Sequence, residues 1–257
     1  MVVELAPPAT STEPGVDEYW LLRDDTVEPL PKLQLSGAVG TQLNTLISHV
    51  LDTYPQALRV ELLAPTALLA GRREWLSYSF DETPDAAADD CIGLDTLVPI
   101  CWRWRDRMLG RDLRWQPALW RLRAKEAKAR VDQSNGLRCL FDGEPPAAEA
   151  PPADVVALAY RPPGPAETGP RRAQFLQTLV RGHPYMVWPA NEPADLPQLK
   201  AQLTQWMAEQ RLLDLPERYR DARSGGALPH LVLFFYEPHR NPYTKGMGRL
   251  STVAPAT

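Results

Sequence analysis

Glu61, Asp142 and Glu237 each fall inside or just past a short apolar run, and three carboxylates gathered at strand ends are the raw material of acid–base hydrolysis. No PD…(D/E)xK spacing accompanies them, so they are catalytic candidates only if the fold brings them together. His49, His183, His230 and His239 show no HxxxH or HExxH spacing and no cysteine at ligand distance, so no metal is expected. A Cys–His dyad of His49 with Cys101 or Cys139 is possible only in space, and His49 sits among the apolar positions of a helical stretch. There is no G-x-S-x-G, GxxxxGK[ST] or GxGxxG. Gly225-Gly226 precedes a strand and reads as a turn. No cofactor is expected. The balance favours binding over catalysis.

The most distinctive run is Cys101-Trp102-Arg103-Trp104-Arg105-Asp106-Arg107, followed by Arg111, Arg114, Trp115 and Trp120. Strand alternation sets Trp102 and Trp104 on one face and Arg103, Arg105 and Arg107 on the other. Two readings follow: a packed strand with internal ion pairs, or a surface that anchors a partner through arginine and tryptophan. The second makes Arg103, Arg105, Arg107, Arg111 and Arg114 a basic patch for an acidic protein surface, with Trp188 as a further anchor. The chain carries a net charge of −4, which counts against nucleic acid as the partner.

The elements that must position these residues alternate in type. From Gly40 to Tyr54 the apolar positions Leu43, Leu46, Ile47, Val50, Leu51 and Tyr54 share one helical face, with Thr41 as cap and Pro55 as stop. A second helix is expected over 196–213, with Asp195 as cap, Gln198 three residues on, and Leu199, Leu203, Trp206, Met207 and Leu213 inward. Further helices are expected over 117–131 and 170–181. Strands are expected at 18–22, 58–64, 97–102, 137–141, 155–160, 184–188 and 230–236, with Pro99 favouring an edge or a bulge. Short apolar strands between amphipathic helices predict an α/β fold: a mostly parallel or mixed central sheet with helices on both faces. Ligands of such sheets bind beyond the carboxyl ends of the strands.

Composition sets the limits. A chain of 257 residues, 44% hydrophobic and 23% charged, is globular in make-up. The 27 prolines concentrate at Pro7–Pro14, Pro145–Pro152 and Pro162–Pro170. Residues 1–17 are therefore expected to be a disordered arm, 18–249 a single α/β domain, and 250–257 a flexible tail. Three unpaired cysteines, no apolar run of bilayer length and no signal-peptide pattern predict a cytoplasmic protein with no membrane contact.

Several strings, taken in order, resemble the C-terminal domain of vWA–MoxR-associated proteins. They are Val60-Glu61-Leu62-Leu63-Ala64-Pro65, the arginine–tryptophan strand 101–107, Tyr185-Met186-Val187-Trp188-Pro189, Leu215-Pro216-Glu217-Arg218-Tyr219-Arg220 with Arg223, and Leu231 to Pro238. The likeness spans roughly residues 18–245. Ala190 stands where the family usually has arginine after Trp-Pro, and Glu237 lacks the second acid that the family tends to place before the proline. The resemblance implies a module of bacterial NTP-dependent conflict or signalling systems, with a peptidase, a MoxR-type ATPase or a vWA protein recruited in trans. It implies no catalytic role. The expectation is a non-enzymatic adaptor or regulatory module. The alternatives are a hydrolase built on Glu61, Asp142 and Glu237, or a substrate or inhibitor of an associated peptidase.

Overall fold

The computed structural model describes residues 1–6, 15–23, 26–54, 59–69, 77–79, 91–105, 108, 158–159, 185–189, 193–211, 214–236 and 243. The stretch with helical spacing forms α1 (Val39–Thr53), which buries Val39, Leu43, Leu46, Ile47 and Val50. Its first turn begins earlier than the sequence suggests. Ala38 is the N-cap, without a side-chain bond, and the Thr41 hydroxyl plays no capping part. Leu51, expected inward, is 37% exposed because it falls at the margin of the stripe.

Ten strands are described: β1 (Val2–Ala6), β2 (Gly15–Arg23), β3 (Thr26–Pro29), β4 (Val60–Ala64), β5 (Ser77–Ser79), β6 (Cys91–Gly93), β7 (Ile100–Trp104), β8 (Leu158–Ala159), β9 (Tyr185–Pro189) and β10 (Leu231–Phe235). Eight form one sheet in the order β3-β2-β1-β4-β7-β10-β9-β8, while β5 and β6 pair separately. β1, β4, β7 and β10 run parallel at its centre. β2 is antiparallel to β1 and β9 antiparallel to β10, so the sheet is mixed, as expected of the α/β pattern.

Two layers cover it. Leu62, Trp102, Trp104 and Phe234 belong to one core with α1. Cys101, Val187, Leu233 and Phe235 belong to a second core, with Leu199, Leu203 and Met207 of α4 (Leu196–Ala208) and Leu215 and Tyr219 of α5 (Leu215–Ser224). Burial on both faces explains why these strands read as unbroken apolar runs. Val60, Leu62, Val187, Leu231, Leu233 and Phe235 are all buried in the one sheet.

Three expectations are corrected. Residues 1–6 and 15–17 are not part of a disordered arm: Val2–Ala6 is a central strand in which Val2, Val3 and Leu5 are 0% exposed, and Gly15 opens β2. Proline density after Pro7 masked the apolar run Val2-Val3-Glu4-Leu5, which is enough for a strand once two neighbours accept its backbone. Pro99 does not mark an edge. It precedes β7, a central strand, and its carbonyl accepts from Val60 N–H at 2.8 Å, using the one backbone group that proline keeps. The helix expected over 196–213 ends earlier, at Ala208, and a further helix that the spacing did not predict, α5, begins at Leu215 with Pro216 in its first turn. The α4 cap is as expected: Asp195 Oδ1 accepts from Gln198 N–H at 2.9 Å. The Pro-rich stretches, the strand at 137–141, the helices at 117–131 and 170–181, and the tail 250–257 lie outside the described residues.

Candidate functional site

Parallel pairing fixes which charged side chains can meet. Glu61 stands opposite Cys101 and Leu63 opposite Arg103, so Glu61 and Arg103 share a face one residue pair apart. They form an ion pair of 2.5 Å with both side chains 1% exposed. Charges this deep persist only in company, since isolated burial of either costs several kcal/mol. Glu61 is therefore not an open strand-end acid, and Arg103 is not part of an exposed basic patch. The face opposite the tryptophans is roofed by helices rather than by water, which alternation alone does not reveal. Trp188 is likewise 0% exposed, its ring 6.3 Å from that of Phe234, and so is no surface anchor.

Arg105, next along, leaves the strand with its side chain 24% exposed and reaches Glu4 Oε1 at 3.5 Å. The Tyr243 hydroxyl donates to Glu4 Oε2 at 2.6 Å, and the Tyr243 ring packs edge-on against Trp20. Burial raises the Glu4 carboxyl above its ordinary range; the Tyr243 bond and Arg105 oppose this, while Asp17 and Glu18 add to it. Burial, then the bond to Glu4, pushes the Tyr243 phenol up as well, so it stays a donor. A carboxyl whose folded-state value is raised takes up its proton in the fold before it does in the unfolded chain. Its contribution to stability is present below the unfolded value and is lost as pH rises through the folded one. The wild type should thus gain stability relative to Glu4→Gln as pH falls from neutral into the carboxylate range, measured by urea unfolding; a loss would contradict the assignment.

A third constellation lies at the opposite, amino-terminal end of the parallel strands, and the sequence reading did not find it. Asp95, on the short α3 (Leu94–Leu97), is 4% exposed. Its Oδ2 accepts from the Tyr219 hydroxyl at 2.8 Å and lies 3.4 Å from Arg223 Nε and 3.6 Å from His230 Nε2. The same hydroxyl accepts from Leu231 N–H at 2.6 Å, which ties the start of β10 to α5. Burial, then Asp95, pushes the Tyr219 phenol upward and keeps it protonated. Beside it Glu217 holds Arg59 by a two-oxygen pair at 3.0 and 3.1 Å, just before β4. Gly226 then takes the left-handed conformation, φ 70°, as Ala227 N–H reaches back to the Ala222 carbonyl at 2.8 Å. One helix thus grips the beginnings of β4 and β10 and, through Asp95, the α3 turn that precedes β7. The available signal was the acid–aromatic–arginine spacing Glu217, Tyr219, Arg223 on a helix that opens with Leu-Pro.

Of the expected site residues, Glu61 and Arg103 meet each other, Arg105 meets Glu4, and Trp188 packs in the core. Asp142, Glu237, Arg107, Arg111 and Arg114 lie outside the described residues. Among the described residues no His, Cys, Asp or Glu cluster has the makings of a metal site, and no helix is long and apolar enough to cross a membrane.

The fold and these pairs define an α/β domain with a mixed, doubly covered sheet, whose charged side chains lock its own strands and helices together. The family model for the vWA–MoxR-associated protein C-terminal domain, VMAP-C, matches residues 17–237, and the chain belongs to that family. The strings that resembled the family form β4, β7, β9, α5 and β10, one contiguous part of the fold. β1 precedes the matched stretch yet occupies the sheet's centre. No curated protein and no solved structure matches the chain.

Proposed function

We propose that this chain is a non-catalytic adaptor or regulatory module of a bacterial vWA–MoxR system, acting in the cytoplasm by binding a protein partner in trans. Family membership over residues 17–237 carries the reading, because the family's description ties it to vWA and MoxR proteins. The internal pairing of Glu61 with Arg103 supports it, since a carboxylate 1% exposed and held by a guanidinium is poorly placed to attack or protonate a substrate. The partner is a MoxR-type ATPase, a vWA protein or an associated peptidase. Its contact runs through Arg107, Arg111 and Arg114, with Arg105 at the margin.

The test is co-purification of the chain with a MoxR-type ATPase and a vWA protein from the same genome. A stable complex with either is expected. Arg107→Glu combined with Arg111→Glu should abolish it while leaving unfolding stability within about 1 kcal/mol, as surface changes do. Failure to bind either protein, or a hydrolytic activity abolished by Glu237→Gln, would overturn the reading.

A further inference from the structure

The Asp95 carboxylate is sparsely served for its depth. Its Oδ1 is buried without a hydrogen-bond partner, and its Oδ2 has one good bond, from Tyr219. That hydroxyl has a single proton and a second acceptor within reach, the Pro229 carbonyl at 3.2 Å. The nearest nitrogen of Arg223 stands off at 3.4 Å and makes no hydrogen bond. Among the described residues, His230, 3.6 Å away with its side chain 21% exposed, is the further group able to bring a proton and a charge to this carboxylate.

We propose that His230 and Asp95 form a proton-operated latch, which tightens the hold of α3 and α5 on the start of β10 when His230 is protonated. Among the described residues, α3 and α5 carry the charged and titratable groups that bear on His230. α3 brings Asp95. α5 brings Tyr219, a neutral donor, and Arg223, which repels an imidazolium. Glu217 is turned to Arg59 and Asp221 to Arg220, while Arg103 on β7 is paired with Glu61. A carboxylate within about 4–6 Å favours the charged form of its neighbour. Here the under-bonded oxygen pair outweighs Arg223, whose side chain is 29% exposed and whose nearest nitrogen makes no hydrogen bond to the carboxylate. A histidine whose protonated form gains a partner adds stability below its unfolded value and loses it as pH rises through the folded one. The latch therefore closes on acidification and loosens toward alkaline pH. It concerns this chain alone, so it stands or falls apart from any partner.

Urea unfolding of the wild type, His230→Gln, Asp95→Asn and the double variant, at pH about 5.5 and about 8, brackets the ordinary histidine value of about 6.5. His230→Gln should raise the unfolding constant about five- to tenfold more at the lower pH than at the higher, and this excess should vanish in the Asp95→Asn background. An equal cost at both pH values would overturn the latch. Because the Asp95→Asn background can fail to fold, the His230 imidazole is also titrated by NMR in the intact wild type and in Arg223→Gln. A midpoint above about 6.5, rising further when Arg223 is removed, is expected. A midpoint at or below it sinks the proposal.

Discussion

Replacing Arg103 with alanine will destabilise the fold by about 3–5 kcal/mol, the cost of stranding a buried carboxylate without its cation. Glu61 and Arg103 are each 1% exposed, so neither can turn to water when the other is removed. Glu61→Ala should cost a similar amount for the mirror-image reason. The informative comparison is the pair Glu61→Leu with Arg103→Met, which replaces both charges by apolar groups of similar volume. Buried pairs often tolerate such exchange, and the double variant should recover most of what either single change loses. Urea unfolding of the four proteins measures this as one cycle. If Arg103→Ala costs less than about 1 kcal/mol, the arginine is a surface group and the packed strand is the wrong description.

The second large effect concerns β1. Val3 is 0% exposed between Tyr19 of β2 and Leu62 of β4, its partners in the ladder. Val3→Asp would place a carboxylate in that position with no cation to meet it, and several kcal/mol of desolvation is enough to erase the stability of an ordinary domain. The expected result is loss of cooperative unfolding and of soluble expression. The milder Leu5→Ala should leave a folded protein weaker by about 2–5 kcal/mol. Deleting residues 1–6 should behave like Val3→Asp, since it unpairs β2 on one side and β4 on the other. Retention of a wild-type transition by Val3→Asp would show that the strand is dispensable.

What was legible in the sequence follows the range of each physical signal. The α1 stripe, the Asp195 cap and the apolar strands β4, β9 and β10 depend on neighbours a few residues away, and each stands close to where the spacing puts it. The pairing of Glu61 with Arg103 depends on which strand lies beside β4, and that is a property of topology. The clue was present: a charge inside a strand apolar on both faces must find a countercharge inside the sheet. The arginines looked like a surface because alternation says which side chains share a face but not what covers it. Asp95, Tyr219, Arg223 and His230 come from three separated segments, and none carries a motif alone.

The parallel centre has a further consequence for how the chain is made. Trp102 on β7 pairs with Phe234 on β10, roughly 130 residues later, and Val3 on β1 with Leu62 on β4. At a ribosomal pace of about 5–20 residues per second, β7 waits on the order of ten seconds for the strand that completes its ladder. Throughout that interval Trp102, Trp104 and the edge of β7 have no β10 to cover them. A sheet whose middle is sewn last belongs to the slow, non-local class of folders. The nascent polypeptide therefore carries an open apolar strand edge for seconds before its central ladder can close.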